Sequence, residues 1–194
     1  MSFEGRAAVV WLCGRVRNDL QFSRIFLVDL TATAAYCATT ALLLALHAAT
    51  AQSLPFLALA AVGYAVSLGL KFALVVYLER RGGDARQFVG SERLVTSGPY
   101  AVSRNPVYVL ALAQSFFWSL GLLALGLAAG GACAGLAALA APALLYLHYW
   151  GIDALVIPYE EMALHAKHPD AFAAYCARVH RWFGLISSRP QGNL

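Results

Sequence analysis

The stretch from Glu92 to Tyr108 reads ERLVTSGPYAVSRNPVY and lies between two long apolar blocks. A second polar segment, from Tyr159 to Trp182, opens with the adjacent acids Glu160 and Glu161. Polar residues that flank apolar segments long enough to cross a bilayer are often the functional ones. We therefore expect a site assembled from these two polar segments at one face of a membrane.

Composition places the chain among integral membrane proteins. Of its 194 residues 60% are hydrophobic and only 12% are charged, and the mean hydropathy is +0.64. Soluble domains carry about a quarter charged residues. Because a spanning helix needs about 20 apolar residues, the sequence predicts an all-α fold with about four transmembrane helices plus interfacial and C-terminal amphipathic helices.

The chain divides into three parts of a single membrane domain, residues 1–194. Residues 1–24 form an N-terminal segment whose apolar run is too short to span, so we expect an interfacial helix. Residues 25–78 hold two spans, and residues 79–194 hold a polar loop, two more spans and the C-terminal helices, the expected catalytic half. The predicted spans are Ile25–Ala51, Leu54–Leu78 with Pro55 in its first turn, Pro106–Ala129, and a fourth that follows Gly131, ends near Ile157 and is interrupted by Pro142.

Basic residues predict the topology. Four precede the first span, five lie in the loop from Glu79 to Asn105, four follow Ile157, and Lys71 lies within the second span. The positive-inside rule therefore places both termini and the loop on the cytoplasmic side, in what we expect to be a bacterial inner membrane. The arginines lack the interleaved aromatics of a nucleic-acid groove, and the scattered cysteines predict neither a disulfide framework nor a metal site.

Glycine and proline mark the predicted turns and helix ends. Gly98-Pro99-Tyr100 reads as a turn, and Asn105-Pro106 reads as a helix start with Asn105 as the capping residue. A helix start carries a partial positive charge that suits an anion such as a carboxylate. The same pattern is also how an ordinary span begins. The pairs Gly126/Gly130 and Gly131/Gly135 fit a dimerising face or a flexible turn, and their position between two spans favours the turn.

Most of the candidate catalytic groups lie in the second polar segment or in the last turns of the span before it. Glu160 and Glu161 directly follow a span, where a carboxylate needs a partner or water. Since adjacent helical residues point about 100° apart, we expect one of them to face the bundle and the other to pair with an arginine such as Arg104. His148 and Asp153, in the last turns of the fourth span, are further candidates. Phe172, Tyr175, Cys176, Val179 and Trp182 recur at helical spacing and predict an amphipathic helix with Pro169 in its first turn.

Two motifs occur in order. The first, L-V-T-S-G-P-Y-x-x-x-R-N-P-x-Y, ends at Tyr108; about fifty residues later come E-E-x-x-L and then Y-x-x-x-V-x-R-W, which ends at Trp182. This combination resembles the isoprenylcysteine carboxyl methyltransferase family and its phospholipid N-methyltransferase relatives, and the chain is similar to a short, bacterial-type member. The resemblance covers about Gln87 to Trp182.

The resemblance implies a membrane methyltransferase that uses S-adenosylmethionine and acts on a lipophilic small molecule or a lipid drawn from the membrane. It implies no metal and no nucleic-acid partner. Glu161, His148, Asp153 and Arg104 are the candidate catalytic residues. Matching positions give the expected cofactor contacts: Glu92, Arg93, Leu94 and Val95 in a strand-like approach, then Tyr100, Asn105, Pro106, Val107, Tyr108 and Glu160.

Two positions depart from the family pattern. Asn105 stands where many members have histidine, and Val156 stands where eukaryotic members have an arginine that holds the substrate carboxylate. We expect Val156 to line the entry of the acceptor and the chain to be inefficient with a prenylcysteine carboxylate, because a desolvated carboxylate needs a cationic partner. Two alternatives remain at this stage: an NADPH-dependent sterol or enone reductase of related fold, and a non-catalytic membrane scaffold.

Overall fold

The computed structural model describes residues 31–41, 53–83 and 93–184, and every regular element in those ranges is helical, as predicted. A 3₁₀ turn, Gly98–Ala101, precedes the third helix, and a π-helical turn, Ile152–Val156, joins the fourth helix to the fifth. The helices are α1 (residues 31–41), α2 (Leu54–Arg80), α3 (Pro106–Ala129), α4 (Gly131–Gly151), α5 (Ile157–Lys167) and α6 (Pro169–Cys176).

Three helical segments are long and apolar enough to cross a membrane: Leu54–Arg80, Pro106–Ala129 and Gly131–Lys167. They correspond to the second, third and fourth predicted spans. Of the first predicted span only residues 31–41 are described, and they are helical. The predicted interfacial segment 1–24 and both chain termini lie outside the described residues.

Proline lies in the first turn of four described α-helices, including Pro158 in α5. Pro55, Pro106 and Pro169 each lie in the first turn of their helix, as predicted. Proline lacks the backbone N–H that would have no intrahelical partner at this position, and its fixed φ suits a helix. α3 accordingly begins and ends where the sequence predicts, whereas α2 continues two residues beyond the predicted end at Leu78.

α3 is the central helix of the described bundle, with α2 packed on one side and α4 on another. α1 joins it through side-chain hydrogen bonds: Tyr36 Oη lies 2.9 Å from Ser119 Oγ, and the Trp118 indole donates to Thr40 Oγ1 at 3.0 Å. The Ser119 hydroxyl also donates to the Ala141 carbonyl at 3.0 Å. Ser119 therefore ties three helices together where the surroundings are apolar and such polar groups need partners.

Two predicted helix boundaries in the C-terminal half are wrong. α4 continues through Pro142 without a break, and the helix changes character instead at the π turn Ile152–Val156. A π turn takes in one more residue than an α turn and shifts the direction of the side chains that follow it. The predicted amphipathic helix also ends early, at Cys176, although Val179 beyond it is buried against the α6 residues Phe172 and Tyr175.

The glycines between α3 and α4 have different roles. Gly130 ends α3 with a φ of 69°, which is the turn role that the sequence predicts. Gly126 instead lies buried inside α3, where an added Cβ would overlap the Cβ of Ala137 and lie 2.8 Å from the Cys133 carbonyl. The turn interpretation is therefore wrong for Gly126, which allows the backbones of α3 and α4 to approach closely.

We predict that Gly126→Ala lowers the free energy of unfolding by about 1 to 3 kcal/mol, because the new methyl overpacks the α3–α4 contact. Gly135→Ala is the matched control, since no atom lies within 4 Å of its added Cβ. Alanine there should be neutral or stabilise by up to about 1 kcal/mol through helix propensity. Thermal unfolding in detergent compares the two variants, and equal loss of stability would contradict the assignment of Gly126 to helix packing.

Candidate functional site

The two polar segments of the sequence meet where α3 and α5 begin. The Tyr108 hydroxyl, in the first turn of α3, donates a hydrogen bond to Glu160 Oε1 in the first turn of α5 at 2.6 Å. Tyr108 is buried in a cluster with Ile152, Val156 and Ile157. The phenol thus holds one carboxylate oxygen at the end of the Gly131–Lys167 segment, and Glu160 is only partly exposed.

A second tyrosine, Tyr100, lies near this carboxylate. Burial raises the pKa of Tyr100 well above its usual range, and the negative charge of Glu160 and the neighbouring Tyr175 raise it further, so Tyr100 is neutral at physiological pH. The Tyr175 hydroxyl donates to the Tyr100 carbonyl at 2.6 Å and fixes the Gly98–Ala101 turn against α6. A carboxylate with aromatic rings beside it is an arrangement that attracts an organic cation.

An ion network lies next to Glu160. Arg181 donates two hydrogen bonds to Glu161, at 2.7 and 3.3 Å, and lies 3.3 Å from Asp153 Oδ1. Arg104 pairs with the same Glu161 at 3.3 Å. Burial acts to lower the pKa of Arg181, but the hydrogen bond and charge of Glu161, together with Asp153, outweigh it and raise that pKa. Arg181 therefore remains a cation throughout the physiological range.

The segment that follows α6 is also bound to the loop before α3. The Asn105 side-chain amide donates to the Arg181 carbonyl at 3.1 Å, and the Arg104 amide donates to the His180 carbonyl at 3.1 Å. Asn105 occupies the N-cap position of α3 but makes no side-chain capping bond. The prediction of a capping side chain is therefore wrong: this buried amide is committed to the carbonyl of Arg181.

The structure brings together three of the four predicted catalytic residues, Arg104, Asp153 and Glu161, in the ion network. His148 lies apart from them, buried between α3 and α4 with Nδ1 2.5 Å from Ser115 Oγ. Ser115 follows Tyr108 by seven residues, which is about 10 Å along the α3 axis. His148 therefore occupies the interior of the bundle, away from the Tyr108–Glu160 contact.

The predicted cofactor contacts divide in the same way. Tyr100, Asn105, Pro106, Tyr108 and Glu160 gather at the junction of α3 and α5, whereas Glu92 lies outside the described residues. Residues 93–96 form no β-strand and lead as irregular backbone into the Gly98–Ala101 turn. Around the junction, Arg93 is exposed beside Gly82, Leu94 packs on the Phe172–Tyr175 cluster, and Val95 and Val107 are half-buried.

Val156 does not line an open side of the site. It is 2% exposed and packs with Tyr108, Ala111 and Ile152 in the core cluster. The expectation that the acceptor enters past Val156 is therefore wrong. An arginine introduced there would place a charge in a packed apolar cluster, where its desolvation is costly.

The sequence did not predict Arg181, Tyr175 or Trp182 as residues of the site. These side chains link the C-terminal segment to it. The Trp182 indole donates to Asp153 Oδ1 at 3.1 Å, on the same oxygen that pairs with Arg181. All three residues belong to the Y-x-x-x-V-x-R-W motif. The signal was present in the sequence, but the partners of these side chains follow only from the fold.

Comparison with protein-family models, with curated proteins and with solved structures gave no match for this chain. The resemblance to the methyltransferase family therefore rests on its motif residues. In the structure, the tyrosines, the asparagine and the acids of those motifs lie at one junction between helices.

We predict that Asn105→Leu lowers the free energy of unfolding by about 1 to 3 kcal/mol, because it removes the shorter of the two side-chain hydrogen bonds to the Arg181 carbonyl and leaves only that of the Ser103 hydroxyl, at 3.4 Å. Asn105→His keeps a donor and should retain most of that stability. Hydrogen exchange in residues 178–184, measured by mass spectrometry in detergent, should accelerate in the leucine variant only. Identical exchange in both variants would show that the side-chain donor does not hold this segment.

Proposed function

We propose that the protein is an S-adenosylmethionine-dependent methyltransferase that acts on a lipophilic acceptor at the cytoplasmic face of the membrane. The observation that carries the proposal is the Tyr108–Glu160 hydrogen bond of 2.6 Å beside Tyr100, at the end of a helical segment able to cross the bilayer. A carboxylate in such a place needs a cationic partner or water.

The residues at this junction fit the charges of the cofactor. Glu160 suits an ammonium group, and the neighbouring tyrosine rings suit an ammonium or a sulfonium. For a carboxylate, the start of α3 offers a partial positive charge. Beside it, Arg104 Nε is buried and has no hydrogen-bond partner in the described part of the chain, so it is a donor available to an anionic group.

Methyl transfer needs orientation more than it needs a charged catalyst. S-adenosylmethionine held by these residues would supply an electrophilic methyl group for in-line displacement by a lone pair of the acceptor, with its sulfur leaving as a neutral thioether. The chain's own contribution is to hold the reactants in line and to exclude water. Tyr108, Tyr100 and Glu160 orient the cationic groups, and the buried cluster of Val156 and Ile157 packs against Tyr108 and excludes water beside it.

The ion network assigns roles to the remaining polar residues. Glu161 is bound by Arg104 and Arg181, and Asp153 is bound by Arg181 and Trp182. Both carboxylates are thus engaged in charge-assisted contacts that hold these side chains in place. We infer that Glu161 and Asp153 position the loop and the C-terminal segment, and that the reaction favours acceptors whose lone pair is available without prior loss of a proton.

We predict that Glu160→Gln weakens S-adenosylmethionine binding by about tenfold or more, since a charge-assisted contact in a dry site contributes about 1.5 to 3 kcal/mol. Glutamine can still accept the hydrogen bond of Tyr108, so the variant should fold normally. Asp170→Asn is the control, because Asp170 is an exposed carboxylate in the first turn of α6. Titration calorimetry in detergent measures both affinities. An unchanged affinity in Glu160→Gln would remove Glu160 from the cofactor site.

A further inference from the structure

A groove of about 580 Å³ opens between α3 and α4. Its walls include Val109, Ala113 and Phe116 of α3, Tyr146 and Tyr149 of α4, and Trp182 of the segment after α6. Phe116 is 51% and Tyr146 63% exposed, so the groove is open along its outer side. Both helices belong to segments long and apolar enough to cross a membrane, and in a bilayer this opening would face lipid. The volume lies within the range of about 300 to 1,000 Å³ typical of ligand sites.

The groove ends against the candidate site. Val109 directly follows Tyr108, whose hydroxyl binds Glu160. Trp182 packs on the cluster that contains Tyr108, and its ring lies 5.4 Å from that of Tyr149 at an interplanar angle of 38°. Its indole N–H donates to Asp153. One side chain, Trp182, thus forms a wall of the groove and a member of the polar network. The groove and the methyl-transfer site are adjoining parts of one surface.

Charge limits what this groove accepts. No charged side chain belongs to its lining in the described residues. Arg181 is paired with Glu161 and Asp153, and Arg104 is paired with Glu161, while the remaining Arg104 donor, Nε, is the one proposed for the carboxylate of the cofactor. A carboxylate brought to that end would lose water without gaining an uncommitted cation from these two, which is costly. An uncharged group loses much less on the same path.

We propose that the groove between α3 and α4 binds the apolar tail of the methyl acceptor, and that the acceptor carries an uncharged nucleophilic group which the tail delivers past Trp182. The acceptor enters sideways from the bilayer, with its tail along Phe116 and Tyr146. That the bound tail belongs to a methyl acceptor rests on the proposed methyltransferase function. The binding of a hydrophobic molecule in the groove can be tested without any methyl transfer.

Photo-crosslinking of the full-length protein in detergent or nanodiscs tests the binding site. The probe is a long-chain alkylphenol with a diazirine on its chain, and mass spectrometry maps the labelled residues. We expect labelling of residues 109–116 and 142–149 that an excess of the unlabelled phenol suppresses. The matching diazirine fatty acid, ionised at pH 8, should label these residues at least about tenfold less, a difference of about 1.4 kcal/mol.

Two variants and one control make the result decisive. Ala113→Trp fills the groove and should reduce labelling about tenfold or more, and Tyr146→Ala, which removes a mostly exposed wall, should reduce it about threefold. Ala138→Trp, on an exposed face of α4 outside the groove, should leave it unchanged. Neither groove variant should alter the Kd for S-adenosylmethionine. The proposal would be overturned by labelling that spreads evenly over the exposed face of α2, or by labelling that Ala113→Trp leaves intact. It would also be overturned if a diazirine phospholipid labelled the groove and the unlabelled phenol did not displace it.

Specific labelling together with an absence of methyl transfer would separate the groove proposal from the methyltransferase proposal. The groove would then stand as a binding site for uncharged hydrophobic molecules, and the methyltransferase proposal would fail. Methyl transfer to a tailed acceptor whose KM is unaffected by Ala113→Trp would have the opposite meaning: the tail would bind elsewhere, and the groove proposal would fail.

Discussion

Arg181 is the residue on which the arrangement of the C-terminal half depends. Its side chain binds two carboxylates, Glu161 and Asp153, while its carbonyl accepts the amide of Asn105. A partly buried cation keeps such contacts because an unpaired charge in such a place is costly. The loop before α3, the start of α5 and the segment after α6 are thereby held together, and the Tyr108–Glu160 contact forms within that frame.

The π turn of Ile152–Val156 contributes to the same frame. It lies between the apolar part of the Gly131–Lys167 segment and the acids of α5, and it carries Asp153. Turns of this kind are frequent at functional sites because they change the direction of the side chains around them. Here Asp153 meets Arg181 and Trp182, whereas Ile152 and Val156 are buried against Tyr108. One local departure from α-helical geometry serves both the polar network and the core.

The sequence predicts the helices of this protein better than the partners of its polar side chains. Hydropathy and the first-turn prolines locate α2 and α3 within two residues, because both signals are local. The π turn has no comparable local signal. The predicted interruption at Pro142 is wrong because a proline in a helix that packs against neighbouring helices removes one hydrogen bond without ending the helix. Asn105 has the sequence of a capping residue, yet its amide binds Arg181, which is 76 residues away. Such pairings depend on how helices pack, and one sequence does not contain that information locally.

Methyl transfer to a hydrophobic acceptor is the proposed activity of this junction. It is tested most directly by incubating membranes that contain the protein with methyl-labelled S-adenosylmethionine and a total lipid extract, beside identical membranes that lack the protein. We expect label to accumulate in one hydrophobic species only where the protein is present, and the labelled group on that species to have been uncharged before transfer. Equal labelling of all lipid fractions with and without the protein would contradict it.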